Sequence, residues 1–213
     1  MSRKLIPGFT NLYIDEAGAL FIGAEGDYST FCPCGYLSMV GNARIYRHYY
    51  VGAPTFTKLG NVDPDFSWEG LYNTADFDAA AMQELYWTFN IPYRWSVGTD
   101  VFVHVFWLHD ANAADAGKFV RWGVEYKCTA VGEALVGGDG SATQDQADLN
   151  TDAGLLIQTD FGVVIPAAQL ATHDQIGLRF YRDATQDDMP GDARMVAVHF
   201  EFVMDKLGEH LHL

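Results

Sequence analysis

"FVRWGVEYKCTA", residues 119–130, alternates apolar and other side chains over most of its length. From Val120 to Cys128 every second residue is apolar, and the residues between them include an arginine, a glutamate and a lysine. Successive side chains of a β-strand point to opposite faces of the sheet, so this pattern predicts a strand with one face in a core. The predicted inward set is Val120, Trp122, Val124, Tyr126 and Cys128.

Two further stretches, 84–92 and 193–205, repeat the same alternation. Both are typical of half-buried strands in antiparallel sheets. The predicted inward residues are Leu85, Trp87, Phe89 and Ile91 in the first stretch, and Val196, Val198, Phe200, Phe202 and Met204 in the second, with His199 and Glu201 facing outward.

The remaining runs complete an all-β pattern. Residues 101–109 and 154–166 are apolar on both faces, which predicts central strands, the second bent near Asp160 to Gly162. Helical periodicity is convincing only in "DFDAAAMQEL", residues 76–85, where an aspartate could cap a short helix. Many strands separated by turn-forming segments predict an antiparallel β-sandwich of jelly-roll type.

Residues 1–41 differ from the rest because they combine glycines with short apolar patches and a Cys-Pro-Cys turn. We interpret them as an N-terminal arm or small β-rich base that attaches to something else, with the sandwich domain covering residues 42–213. A first hairpin of the same domain is the open alternative. Because one proline separates Cys32 from Cys34, we expect no bond between them and favour folding in a reduced compartment.

The charge of the 213-residue chain limits its partners. Its 28 acidic and 13 basic residues give a formal net charge of −15, which repels phosphate backbones, so we expect no nucleic-acid partner. The sequence also has no apolar run long enough to span a bilayer, so we expect no membrane insertion.

Acidic segments are the first candidates for chemistry. Residues 183–192 contain four aspartates, but their spacing fits no calcium loop, and we predict a solvent-exposed hairpin connection. In "DLNTDAGLLIQT", residues 148–159, the side chains of Asp148, Asn150 and Asp152 stand at the first, third and fifth positions of a calcium loop. The glycine there comes one residue late and Thr159 replaces the closing glutamate, so we favour an acidic loop before a strand.

The other candidates for chemistry are equally incomplete. His104 lies in a two-sided apolar run, which favours a hydrogen-bonded core or interface residue over a metal ligand, and the His210-x-His212 pair has no further ligand nearby in sequence. The sequence has no nucleophile elbow or phosphate-binding loop, and no pair of carboxylates stands out for glycoside hydrolysis. We therefore predict no catalytic residue, no cofactor and no metal.

Three segments together resemble a group of tailed-phage virion proteins: "YWTFNIPYRWSVGTDVFVHVFWLHD" (86–110), "GKFVRWGVEYKCTA" (117–130) and "GLRFYRDATQDDMPGDARMVAVHFEFVMDKLG" (177–208). The upstream "NARIYRHYYVG" (42–52) is similar to the opening strand of that group. Phe106 stands where the group often has a second histidine. The matching positions that we expect to matter for structure are Trp95, Gly98, Thr99, Asp100, His104, Trp107, Trp122, Arg182 and Asp183.

The resemblance implies a jelly-roll-like structural component of a virion, such as a head fibre, a head decoration or a tail-associated protein. We expect a symmetric oligomer, a trimer, that contacts capsid, neck or tail proteins. Within it we expect Arg182 and Asp183 to form an ion pair at the start of the acidic loop, with the Thr185 hydroxyl tying the loop backbone. A glycan-binding module and a polysaccharide-degrading enzyme remain alternatives, the first because tryptophans could form a sugar platform.

Overall fold

The strands described here come from a computed structural model, which describes residues 3–5, 11–59, 62–109, 117–147 and 154–207, with side chains from residue 11 onward. Within those ranges the helical segments are the 3₁₀ turns Gly41–Ala43, Ala53–Thr55 and Ala167–Gln169. In the same ranges, no helix is both long and apolar enough to cross a membrane. The strands are β1 (Arg3–Leu5), β2 (Leu12–Asp15), β3 (Leu20–Ala24), β4 (Asp27–Phe31), β5 (Leu37–Val40), β6 (Ile45–Gly52), β7 (Asp65–Glu69), β8 (Tyr72–Phe77), β9 (Gln83–Asn90), β10 (Val101–His109), β11 (Phe119–Thr129), β12 (Gly140–Ala147), β13 (Ile157–Ile165), β14 (Gln175–Arg182), β15 (Ala193–Met204) and β16 (Lys206–Leu207).

Two antiparallel sheets form a sandwich. The first has the order β13-β10-β15-β8-β7, with β6 pairing the other half of β15, and the second has the order β12-β11-β14-β9. Between β8 and β15 the chain changes sheet at every connection except the β11–β12 hairpin. The chain is therefore an all-β antiparallel sandwich of jelly-roll type, and the predicted fold class is confirmed.

An aromatic cluster fills the space between the sheets. The Trp122 ring stacks on Phe180 at 5.2 Å between centroids, and Phe77 and Trp107 meet it edge-on at 5.1 and 5.8 Å. Trp122, Phe77 and Trp107 have no exposed surface. Offset and edge-to-face pairs are favourable beyond their buried area, so the bulky residues of the alternating strands determine how the two sheets pack.

The predicted inward faces of the strands hold for β9 and β11 but only in part for β15. In β15, Phe200 and Phe202 are buried as predicted, whereas Val196 is only half-buried and Met195 is fully buried instead. The pairing with β10 shifts register next to Trp107. An extra residue at such an irregularity reverses the inside–outside parity of all residues beyond it, which explains the wrong prediction for Val196.

The predicted helix at 76–85 is wrong. Strand β8 ends at Phe77 and β9 begins at Gln83, and these two strands belong to different sheets. The Asp78 carboxylate does accept a backbone N–H, from Ala80, but it closes a turn and not a helix. Phe77 and Leu85 are both fully buried in the core, and this burial outweighs the modest helix propensity of three alanines.

The position predicted for the run 154–166 is also wrong. Strand β13 lies at the end of its sheet and, among the strands of the described ranges, pairs only with β10, so it is not central. The predicted bend is present, because the register shifts between Phe102 and His104 opposite the segment from Asp160 to Val163, and Gly162 has φ 67°. Only glycine adopts that conformation without steric cost.

Strands β1 to β5 form a meander of their own in a separate sheet, which has the order β1-β2-β3-β4-β5-β16. The last strand comes from the far end of the described chain, where Leu207 pairs with Leu37. This region is β-rich, although its alternation is too short to be detected from sequence. A boundary at residue 41 and an attachment role both stay predictions.

The Cys-Pro-Cys turn corrects another expectation. Cys32 and Cys34 are disulfide-bonded, with Cα atoms 5.1 Å apart. That separation lies within the usual range for disulfides. The tight connection between β4 and β5, closed by the Cys32 N–H donating to the Tyr36 carbonyl, brings the two side chains together. The folding compartment stays a prediction.

Candidate functional site

The outer face of the first sheet carries a row of polar and aromatic side chains across four neighbouring strands. His104 of β10 lies opposite Asp160 of β13 on one side and opposite His199 of β15 on the other, and His199 lies opposite Tyr50 of β6. The next outward pair along β15 and β6 is Glu201 opposite His48. We call His48, His104, Asp160, His199 and Glu201 the histidine cluster.

Two short contacts join the cluster. His48 Nδ1 lies 2.6 Å from His199 Nε2, a distance at which one ring donates a hydrogen bond to the other. His104 Nε2 lies 3.3 Å from Glu201 Oε2. One nitrogen of His48, one nitrogen of His199 and one carboxylate oxygen of Glu201 all lie within 4.8 Å of one another. These three groups can therefore converge on one small ligand.

His199 is buried although it points away from the core. Its exposed fraction is 6%, because the Tyr50 ring stacks on it at 4.3 Å between centroids and Phe106 and His104 flank it. Burial lowers the pKa of His199 below its usual value, and the neighbouring His48 and His104 lower it further, while Glu201 opposes them. The neutral imidazole is therefore favoured, and a neutral imidazole keeps a lone pair for a hydrogen bond or a metal ion.

The ring of His104 has polar neighbours at both of its nitrogens. The Gln158 side-chain amide lies 3.3 Å from Nδ1 and can donate to it, and Asp160 Oδ1 also lies 3.3 Å from Nδ1. The other ring nitrogen, Nε2, lies 3.3 Å from Glu201 Oε2. His104 then orients the Glu201 carboxylate, which fits the hydrogen-bonded role predicted for it.

The predicted structural residues around 95–107 mostly lie in or next to the core. Trp95 is fully buried, and its indole N–H donates to the Thr99 carbonyl. Gly98 has φ 85°, and the Thr99 hydroxyl donates to the Ser96 carbonyl, which makes the tight turn before β10. The Asp100 carboxylate accepts the Ala167 backbone N–H at 2.8 Å and so ties this turn to the end of β13.

Arg182 is fully buried, but its partner is not the one predicted. Its guanidinium donates to both carboxylate oxygens of Asp187, at 2.7 and 3.1 Å. It also donates to the backbone carbonyls of Phe77, Met189 and Gly191. Asp183 instead accepts the Thr185 hydroxyl, so the expected Arg182–Asp183 pair and the expected tie from Thr185 to the backbone are both wrong. The planar guanidinium of Arg182 is buried and therefore pairs with a carboxylate that is also buried, which is that of Asp187.

The acidic stretch 183–192 is a connection, but it is not a hairpin, because β14 and β15 belong to different sheets. Its carboxylates have separate partners: Asp187 binds Arg182, and Asp188 accepts the Phe119 backbone N–H and pairs with Lys118. These contacts attach the connection between β14 and β15 to the start of β11. The calcium-loop residues Asp148, Asn150 and Asp152 and the pair His210 and His212 lie outside the described residues.

Sequence reasoning missed the cluster as a unit. It placed His199 and Glu201 on the outer face of one strand and gave His48 no role. The sequence did contain a signal. His48 with Tyr50, and His199 with Glu201, are two pairs of outward side chains that each include a histidine and are each spaced i, i+2 on a predicted strand. Nothing in the order of the chain indicates that residues 48 and 199 meet, because pairing of strands so far apart is a tertiary property.

Comparison with known proteins comes from structure alone. No protein-family model and no curated protein matches the sequence. The chain aligns with the CBM36-1 domain of a multidomain xylanase from the hindgut metagenome of Trinervitermes trinervoides at 12% identity and a TM-score of 0.40, over 78% of this chain and 100% of that one. It aligns with the infectious bursal disease virus Gx strain at 11% identity and a TM-score of 0.39, over 90% of this chain and 45% of that one.

A third alignment, with TmCBM61 in complex with beta-1,4-galactotriose, has 10% identity and a TM-score of 0.30, over 76% of this chain and 85% of that one. The structural neighbours thus include carbohydrate-binding modules and viral capsid proteins. Similarity this low carries no argument about what this chain binds or builds.

Proposed function

We propose that this chain is a non-catalytic structural protein of a tailed-phage type of virion, a head fibre, decoration or tail-associated part. In this proposal the chain forms a symmetric trimer, its N-terminal sheet lies against its own copies and the capsid, neck or tail proteins, and the sandwich projects outward. The observation that carries the proposal is an apolar face on the N-terminal sheet. The resemblance of residues 42–208 to virion proteins supplies the context.

That apolar face follows from the strand register. Ile14 pairs with Leu20, Leu20 with Phe31, Phe31 with Leu37 and Leu37 with Leu207, so one row of five apolar side chains crosses five strands. We call this surface the apolar face. Leu12, Ile22 and Met39 lie on the same side two residues along their strands.

Much of the apolar face is open to solvent in a single chain. Ile14 is 40% exposed, Ile22 and Phe31 are each 45% exposed and Leu207 is 38% exposed. A contiguous apolar surface of this kind is typical of an interaction site. A closed symmetric ring covers the same surface on every copy, which supports self-association as the means of covering it.

Light scattering after size-exclusion chromatography tests the proposal. We expect the purified chain to have the mass of a trimer and Ile22→Asp to shift it to monomers, because a buried carboxylate on the interface is strongly unfavourable. Val40→Asp is the matched control, since Val40 is 37% exposed on the opposite face of the same sheet. A wild-type chain that stays monomeric at high concentration and does not bind purified particles would count against the proposal.

Glycan binding is a second candidate, and one surface favours it. A cavity of about 340 Å³ beside the β7–β8 turn is lined by Glu69, Leu71, Tyr72, Leu108 and others, and Tyr72 is 66% exposed there. An exposed aromatic ring beside a carboxylate is a common arrangement for stacking on a sugar. Several copies on one particle would multiply a weak affinity. A glycan array with wild type and Tyr72→Ala tests it, and equal, flat signals from both would exclude it.

A further inference from the structure

We propose that His48, His199 and Glu201 bind a divalent transition-metal ion of the zinc type, with His104 holding the carboxylate in place. Two imidazole nitrogens and one carboxylate oxygen form a ligand set that zinc uses in proteins, with a fourth position left for water or another donor. The three ligand groups come from two neighbouring strands, β6 and β15, and already lie within 4.8 Å of one another. This inference does not depend on the proposed virion role.

The spacing fits a metal after one small movement. Nitrogen ligands at about 2.0–2.1 Å from a tetrahedral ion lie about 3.3 Å apart. His48 Nδ1 and His199 Nε2 are now 2.6 Å apart. His48 is exposed on strand β6, so its ring can rotate outward by the small distance required, while the buried ring of His199 stays fixed under Tyr50.

The surroundings of the three ligands are those of an organised metal site. His104 Nε2 lies 3.3 Å from Glu201 Oε2, so the His104 ring contacts the carboxylate that would bind the ion and restricts its direction. Gln158 and Asp160 contact the other nitrogen of His104, so the supporting shell extends over two more strands. Such outer-shell partners orient metal ligands and raise their affinity. The bound ion would also offset the negative charge of Glu201 and Asp160.

A metal here would cross-link two neighbouring strands of the first sandwich sheet. Strand β6 pairs with β15, which is the central strand of that sheet. A coordinate bond from His48 to the ion and from the ion to His199 adds a link to the hydrogen bonds between these strands. Because a ligand that binds only the folded chain stabilises it by mass action, zinc should raise the melting temperature.

The experiment starts from full-length protein stripped with a chelator and dialysed, followed by calorimetric titration with zinc and metal analysis of the loaded protein. We expect each wild-type chain to bind one zinc ion. His48→Gln and Glu201→Gln should each weaken binding by more than about tenfold, because even the loss of an outer-shell partner costs 10–100-fold. His104→Gln should weaken binding by about 10–100-fold.

The double variant His210→Gln/His212→Gln is the essential control, since these histidines could also bind zinc. It should retain the high-affinity site and the rise in melting temperature. His48 is exposed, so His48→Gln should fold normally, and unchanged circular dichroism would confirm this. Either of two results overturns the inference. The first is a wild-type chain that does not bind zinc at a one-to-one ratio. The second is zinc binding that survives His48→Gln and Glu201→Gln but is lost in the double variant His210→Gln/His212→Gln.

Discussion

Replacing Arg182 by methionine should destabilise the sandwich more than any surface change. The Arg182 side chain has no exposed surface, and the Asp187 side chain is 1% exposed. Methionine fills much of the same volume but leaves the Asp187 carboxylate without its cation. Removing one partner of a buried ion pair costs about 3–5 kcal/mol in the free energy of unfolding, because an uncompensated charge stays in the core.

The three carbonyls that Arg182 binds add to this cost. Each buried acceptor left without a donor costs about 1–3 kcal/mol, although water can reach some of them and the terms do not add in full. We expect a total loss above the roughly 3–5 kcal/mol of the broken ion pair alone, which is a large part of the roughly 5–15 kcal/mol typical of a domain. Arg182→Lys should also be unstable, since one ammonium group cannot replace the planar fork.

Urea unfolding followed by tryptophan fluorescence measures this loss from the midpoint and slope. The matched control is Arg121→Met, which removes another bidentate pair, to Asp145, at the surface. We expect that control to leave the midpoint almost unchanged, since exposed ion pairs contribute little. If Arg182→Met lost less than about 1 kcal/mol, the argument from burial would be refuted. Asp187→Asn should be far more destabilising than Asp183→Asn.

Three further predictions concern strand β11 and its surroundings. Gly123→Ala should lose about 1–3 kcal/mol in urea unfolding, because an added Cβ would lie 2.1 Å from the Tyr181 ring, and an unchanged midpoint would contradict this. Burial raises the pKa of the Cys128 thiol to about 12, so a thiol reagent at pH 8 should label it only after unfolding, and rapid labelling of the folded chain would refute the packing. The Lys127 ammonium lowers the pKa of Asp139 below its usual 3.8, so the ionised Asp139 carboxylate stabilises the fold above about pH 4, and this contribution decreases as the pH falls toward the lowered pKa. Asp139→Asn should therefore reduce the urea midpoint at pH 7, and the reduction should become smaller as the pH is lowered below about 4; an equal reduction at every pH would contradict this.

Much of the fold could be predicted from the sequence because alternation is a local property. The inward faces of β9 and β11 follow from residue parity alone, as Leu85 and Trp122 illustrate. Parity failed in β15, where an irregularity next to Trp107 exchanges the roles of Met195 and Val196. The prediction from periodicity also failed for residues 76–85. A short run of alanines there has the pattern of a helix, but in the structure it lies in the connection from β8 in one sheet to β9 in the other.

The sequence by itself determined the all-β class and the identity of most core residues, since the pleat of a strand sorts neighbouring side chains onto two faces. The tertiary structure alone decided which outward residues meet. His48 and His199 are 151 residues apart, and Arg182 reaches past Asp183 to Asp187, because the order and register of distant strands select these contacts. The histidine cluster and the apolar face both arise from that pairing.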